Sequence, residues 1–417
     1  MVSSTRSSRG NKKDLINKLL NRGVESIVEF SELQKQLLSG RRLRVKHGID
    51  PTGPKIHLGR AVALRKLRAF QDLGHKVVLI VGDFTARVGD PSDKLEKRPM
   101  LTADQIRRNL KTYRKQLSQI IDLSRAEIHF NSRWLKKLGF QEISELAESF
   151  SVQQMLVRRN FKERYTRGTE ISLREFLYPL MQGYDSVAVK ADVEVGGADQ
   201  LFNLIAGRII QKHYGQKEQN ILTTKMLSGT DGRKMSTSWG NVITITDEPN
   251  DMFGKVMSIN DELISQYSLL CTDIPEEEIF ENERRMGAGE VNPRDTKLDL
   301  ATEIVAIYHG EKKAQRARAE FIKIFALKER PERVETKALG EKKYEITRLL
   351  VETGLAPSRS EARRLIIQGG VRIDDKKVSD IEKTIKISVN PVLLQVGKRR
   401  FVQIKLRSLP KNGREKF

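Results

Sequence analysis

Cysteine is nearly absent. Cys271 is the one cysteine among 417 residues, which excludes an internal disulfide and any cysteine-built zinc site and suits a reducing, cytoplasmic setting. The six histidines form no ligand cluster, so no metal site made of protein side chains is expected. No apolar run approaches the roughly 18 residues needed to cross a bilayer, so the expectation is a soluble chain with no membrane partner. The opening segment, MVSSTRSSRGNKK, has no acid before Asp14 and no apolar stretch of the kind a secretory signal needs. It reads as a disordered arm, with a transit peptide as the alternative. Acids are scarce relative to bases, 54 against 76, giving a net charge of +22. An excess of this size makes a polyanion the expected partner. Walker A and GxGxxG patterns are both missing, so a phosphate site has to be built another way.

Several segments carry clear structural signals. RVKHGID at 44–50 and the almost wholly apolar VVLIVG at 77–82 read as buried parallel strands. Between them Ala63, Leu64, Leu67, Phe70 and Leu73 recur at helical spacing and stop at Gly74, completing a βαβ unit. Helical patterns around 104–121 and 141–160 alternate with a short apolar stretch at 127–130, and VAVKADVEVGGADQ reads as a strand entering a loop. The first 240 residues are therefore expected to be α/β. From Met252 to Tyr308 the pattern turns helical. The stretch ALKERPERVETKALGEKK is charged and lacks apolar periodicity, so a linker is expected there. Beyond it, one helix carries Ile346, Leu349, Leu350 and Thr353 on one face, and a second starts at the Ser358/Glu361 capping pattern. The VRI strand and the hairpin PVLLQV-GKRR-FVQIKL follow. Residues 341–417 hold 19 Lys/Arg and 9 Asp/Glu, a surplus of 10, so nucleic acid is the natural ligand for this part.

Two segments carry the chemistry. GIDPTGPKIHLGR, at 48–60, lies between a strand and a helix start, where backbone N–H groups and the helix dipole favour phosphate. His57 and Arg60 add donors, and Gly48 and Gly59 leave room for a base or ribose against the backbone. GRKMSTS, at 232–238, is a glycine-serine loop with Arg233 and Lys234, able to close over phosphates and to neutralise charge on a leaving group.

HLGR followed some 175 residues later by KMSTS resembles the HIGH and KMSKS pair of class I aminoacyl-tRNA synthetases. DPTGPKIHLG, FQDLGHKV, GDFTARVGDPS, FLYPLMQGYDSV and VGGADQLFN, in this order, resemble the bacterial tyrosyl-tRNA synthetases from about residue 12 to about residue 408. The resemblance implies a Rossmann-like catalytic domain at 42–245 behind an N-terminal arm and helix at 1–41. It further implies an α-helical anticodon-binding domain at 246–330, a linker at 331–342 and, at 343–410, an RNA-binding domain of the small-subunit ribosomal protein type. It implies tyrosine, ATP accompanied by Mg2+, and tRNA(Tyr) as partners, and a homodimer.

Carried over by motif, Asp90, Tyr178 and Gln182 would hold the substrate ammonium, Asp185 would accept from the phenol hydroxyl, and Gln200 would face the amino acid. Tyr178, Gln182 and Asp185 share a helical face by spacing, with Pro179 suggesting that the helix starts or kinks there. Gly48, Asp50, Thr52, His57, Gly59, Gly197, Asp199 and Lys234 would bind ATP, with Asp199 on the ribose hydroxyls. His57, Arg60, Lys234 and Thr237 would form the catalytic signature, and Lys94 and Arg98 would clamp pyrophosphate. Arg359, Arg363, Arg364 and Arg372 are the RNA-binding candidates. The chain departs from the family at Arg60 (second histidine of the first motif), Thr237 (second lysine of the second), Asp93 (a common glycine) and Lys46 (a tyrosine facing the substrate ring). Arg233 or Lys225 would compensate for Thr237. An acidic residue at 185 and the C-terminal module favour tyrosine over tryptophan. The alternative that Arg60 and Thr237 leave open is an RNA-binding protein on a catalytically degenerate body.

Overall fold

The structure is a computed structural model that describes residues 4–92, 100–326, 334–340, 343–374, 376–388, 390–397 and 400–406. The chain forms two compact units, 1–314 and 315–417.

The first unit is built on a six-stranded sheet: β1 (Val24–Val28), β2 (Arg44–Ile49), β3 (Lys76–Val81), β4 (Glu127–Phe130), β5 (Val193–Gly197) and β6 (Asn220–Thr224). Their spatial order is β1-β6-β5-β2-β3-β4. Every pairing from β6 to β4 is parallel, and β1 closes the edge antiparallel to β6. Val77, Val78, Leu79 and Ile80 of β3 are buried, as a continuous apolar run in a doubly covered parallel sheet requires. Strand order reverses between β2 and β5. At such a switch point the loops leaving the two strands diverge and open a crevice beyond their carboxyl ends.

The Leu58–Asp72 helix follows β2 with His57 as its N-cap. It ends as the sequence predicts, at Gly74, whose φ is +91°. The Leu173–Val189 helix starts at a capping box, Ser172 with Glu175, and runs through Pro179. The proline therefore lies inside the helix and does not begin it. The helical pattern at 104–121 resolves into the Ala103–Leu110 and Tyr113–Leu117 helices, and that at 141–160 is interrupted by a new capping box, Ser151 with Gln154. A helix also runs from Ser4 to Asn21, where a disordered arm was expected. Ile16, Leu19 and Leu20, at helical spacing, are buried and fix its end against the body.

The helices between Pro249 and His309 pack into the same unit. Arg22 joins the N-terminal segment to them through the carbonyls of Ser268, Thr272 and Ile274, and Arg65 pairs with Asp273 at 2.8 Å.

In the second unit β7 (Glu335–Leu339), β8 (Lys343–Glu345), β9 (Val371–Ile373), β10 (Lys376–Lys377), β11 (Thr384–Lys386), β12 (Val392–Val396) and β13 (Arg400–Leu406) accompany the Ile346–Glu352 and Arg359–Ile367 helices. The main sheet has the order β10-β9-β12-β13-β7, and its core includes Ile346, Leu350, Ala362, Ile366, Leu394 and Ile404. Residues 335–339, expected to be linker, form β7, a parallel edge strand beside β13. Only Leu339 of β7 is buried, so the strand is specified by backbone pairing and leaves little periodicity to read.

Candidate functional site

A cavity of about 550 Å³ opens where β2 and β5 diverge. It gathers residues that lie far apart in sequence: His57 and Arg60 from the first loop, Asp90 after β3, Asp185 from the Leu173–Val189 helix, Asp199 after β5, and Lys234 from the 232–238 loop. Gly48, Asp50, Thr52, Gly59, Tyr178, Gln182, Gly197, Gln200 and Thr237 also line it.

One end of the cavity is built from half-buried carboxylates. The Asp50 carboxylate accepts from the Thr85 hydroxyl at 2.7 Å and the Tyr178 hydroxyl at 2.9 Å. Burial, helped by the charge on Asp90, pushes its carboxyl up to about 6. Glycine is needed at 82, because a Cβ there would stand 1.9 Å from Asp50 Oδ1. Asp90 accepts from Gln200 Nε2 at 2.8 Å, Asn203 Nδ2 at 3.4 Å and the Ser92 amide at 2.9 Å. Behind it, Arg158 donates to Ser92 Oγ at 2.9 Å and stacks over Phe202.

Deeper in the cavity, Asp185 accepts from Trp134 Nε1 at 2.7 Å and Asn131 Nδ2 at 3.3 Å. Burial pushes its carboxyl up to about 7 against the pull of Lys46 and these two donors.

Another part of the lining is basic. The Nδ1 of His57 accepts from the Arg60 amide at 3.4 Å, which leaves the proton on Nε2. Burial first, then the charges of Arg60 and Lys234, hold the imidazole down at about 3, so it is a neutral donor at working pH. The Arg60 guanidinium braces the loop, donating to the Asp50 carbonyl, the Thr52 hydroxyl at 2.8 Å and the Tyr113 hydroxyl at 3.0 Å. Gly48 and Gly59 differ. A Cβ at 48 would meet open space, whereas one at 59 would press on the His57 ring at 3.1 Å. Lys234 pairs with Asp199 at 2.8 Å, and Met235 is buried beside the Gly59 amide. Lys225 lines the cavity. Arg233 instead pairs with Asp231 at 2.6 Å and stacks over Trp239, on the exposed side of the loop.

Lys94, Arg98 and Asp93 lie outside the described residues. Lys46 is not among the lining residues. It is fully buried behind the wall, paired with Glu194 at 3.0 Å, because its stem runs inward from the middle of the sheet. Arg359, Arg363, Arg364 and Arg372 belong to the second unit and are all exposed. Sequence reasoning misses Glu194, Asn131, Trp134 and Asn203, whose partners lie across the fold. The hydrophilic Glu194 inside the apolar β5 run, VEVGG, is the one local sign. Among the described residues no group of three metal-ligating side chains occurs.

Comparison with known proteins identifies the family. The sequence model of the family described as tRNA synthetases class I (W and Y) matches residues 38–326, so the fold and site define a class I aminoacyl-tRNA synthetase. The model of the Tyrosine--tRNA ligase SYY-like C-terminal domain matches residues 326–404. The tyrosine–tRNA ligase of Thermotoga maritima is 50% identical over 388 residues, covering 93% of this chain and 96% of its own. That of Carboxydothermus hydrogenoformans is 48% identical over 396 residues, with the same coverage of each. The chain belongs to the tyrosine–tRNA ligases. Solved structures share the fold. A C-terminally truncated mitochondrial tyrosyl-tRNA synthetase from Aspergillus nidulans aligns with a TM-score of 0.62 at 24% identity, covering 77% of this chain and 97% of that one. The Archaeoglobus fulgidus enzyme complexed with L-tyrosine gives 0.58 at 21%, covering 73% and 99%.

Proposed function

We infer that this chain activates L-tyrosine with ATP and transfers it to the 3′ end of tRNA(Tyr). The observation that carries this reading is the single cavity holding Asp90, Asp185 and Asp199 beside His57 and Lys234. An amino acid bound across the carboxylates has its ammonium at Asp90, Tyr178 and Gln182, and its phenol hydroxyl at Asp185. A cation in such a pocket requires carboxylate and hydrogen-bonding partners to offset its desolvation. Asp185 keeps acceptor capacity beyond its bonds to Trp134 and Asn131, so phenylalanine would leave a buried acceptor unmatched. Rejection of a substrate that leaves a buried polar group without its partner is best known from tyrosyl-tRNA synthetases themselves.

ATP lies toward the basic part, with its base against Gly48, its ribose hydroxyls on Asp199, near Gly197, and its phosphates under His57 Nε2 and Lys234. Binding parts the Lys234–Asp199 pair and turns the ammonium toward the phosphates. The tyrosine carboxylate attacks the α-phosphorus and pyrophosphate leaves. The attacking group is already an anion, so no general base is needed. Positioning and charge stabilisation supply the catalysis. Mg2+ enters as part of the ATP complex. Lys225, which lines the same cavity, would compensate for Thr237. Arg60 acts by holding the 50–52 loop, and Lys94 and Arg98 remain candidates for pyrophosphate.

The Arg359–Ile367 helix and its exposed arginines bind tRNA, as the positive surplus of the C-terminal part favours. The helices after residue 249 serve the anticodon end. For a homodimer, the exposed apolar side chains of Phe140, Val152, Val157, Tyr165 and Leu173 are the interface candidates. The one, reduced cysteine is consistent with a cytoplasmic enzyme.

The test is amino-acid-dependent exchange of pyrophosphate into ATP. Tyrosine is expected to support exchange, and tryptophan and phenylalanine are not. Exchange absent with tyrosine, or equal with tryptophan, would overturn the reading.

A further inference from the structure

Behind the cavity wall, polar groups close around Lys46 and Glu194. The ammonium of Lys46, fully buried, has three donors and three partners: Glu194 at 3.0 Å, the Ser186 hydroxyl at 2.7 Å and the backbone carbonyl of Gln182 at 2.9 Å. None remains for a ligand. Glu194, also buried, uses both oxygens twice. Oε1 receives Lys46 and the Gln182 amide nitrogen, the latter at 3.1 Å, and Oε2 receives the Ser186 hydroxyl at 3.2 Å and the Gln219 amide nitrogen at 2.5 Å. Although Glu194 borders the cavity, its acceptor sites are filled.

Gln182 is where this network meets the pocket. An amide side chain has one end that donates and one that accepts, and the two can exchange places. A carboxylate only accepts, so Glu194 selects the nitrogen end and leaves the oxygen end for the cavity. We propose that the Lys46–Glu194 pair is a positioning device that fixes the Gln182 amide with its oxygen offered to the ammonium of bound tyrosine. Lys46 therefore acts through Glu194 and Gln182 and never touches the substrate. The inference rests on the proposed role of Gln182 as an ammonium ligand.

Two double variants, both lacking the buried charges, test it. In Lys46→Met with Glu194→Gln, the new amide oxygen still accepts from Gln182 Nε2. In Lys46→Met with Glu194→Met, nothing does, and the Gln182 amide is free to turn. The first is expected to keep the KM for tyrosine within about threefold of the parent, and the second to raise it about tenfold, the range of a hydrogen bond to a charged group. Inhibition by 3-(4-hydroxyphenyl)propionate, which lacks the ammonium, is expected to be alike in both. Equal tyrosine KM values in the two double variants, or a parallel shift in that inhibition, would overturn the proposal. Gln182→Leu separates it from the reading beneath. An unchanged tyrosine KM in that variant removes Gln182 as a ligand. A raised KM there, with equal double variants, removes only the positioning role.

Discussion

Asp185 combines two properties that oppose each other in water. It is a carboxylate buried in the cavity, and it must accept a hydrogen bond from a neutral phenol. Burial pushes its carboxyl up to about 7, while Lys46, Trp134 and Asn131 pull the other way. Below that value it carries a proton and loses acceptor capacity. The KM for tyrosine is therefore expected to fall as pH rises from about 6 to about 8, and Asp185→Asn is expected to abolish this dependence. A variant with the parent's pH profile would assign the titration elsewhere. The effect on folding has the opposite sense. Because the folded-state value lies above the ordinary 3.8, this group's contribution to stability is greatest at low pH and is lost as pH rises through about 7. Residues within the two signature loops were legible in the sequence because each loop supplies several of them at short spacing. Trp134, Asn131 and Glu194 were not. Their roles depend on contacts 51, 54 and, for Glu194 with Gln182, 12 positions apart, and only the folded sheet brings them together.

Among the elements, the central strands and the helix between them were readable because continuous apolar runs and 3.6-residue periodicity leave strong marks. β1, β6 and β7 leave weak ones. β1 is only partly buried at the sheet edge, and β6 reads NILTT, with three polar side chains buried inside the first unit. β7 reads as linker because its register comes from β13. This bears on how the C-terminal part should be removed. A cut at 341 would remove β13 and leave β7 without its partner, whereas a chain ending at Ala326 leaves the Glu311–Ala326 helix whole. The chain ending at Ala326 is expected to retain tyrosine-dependent pyrophosphate exchange within about threefold but to lose most tRNA charging, as removal of a basic RNA-binding module predicts. Undiminished charging would show that tRNA is held by the first unit alone.

For the whole molecule, charge and exposed apolar surface predict different partners. The excess of positive charge, nearly half of it beyond residue 340, predicts tRNA binding that weakens steeply with salt. The apolar side chains from Phe140 to Leu173 predict association with a second copy. Leu173 is 80% exposed, so Leu173→Asp is expected to leave the fold intact while lowering the mass measured by sedimentation from twice 47.6 kDa to 47.6 kDa. A dimer undisturbed by that change would place the interface elsewhere. The central claim is that one cavity brings the tyrosine carboxylate to the innermost phosphorus of ATP, and isotope transfer tests it most directly. With tyrosine labelled by 18O in both carboxylate oxygens, each tRNA charged is expected to release one AMP carrying a single 18O, because the attacking oxygen stays on phosphorus when the tRNA hydroxyl takes the acyl group. AMP released without label would contradict it.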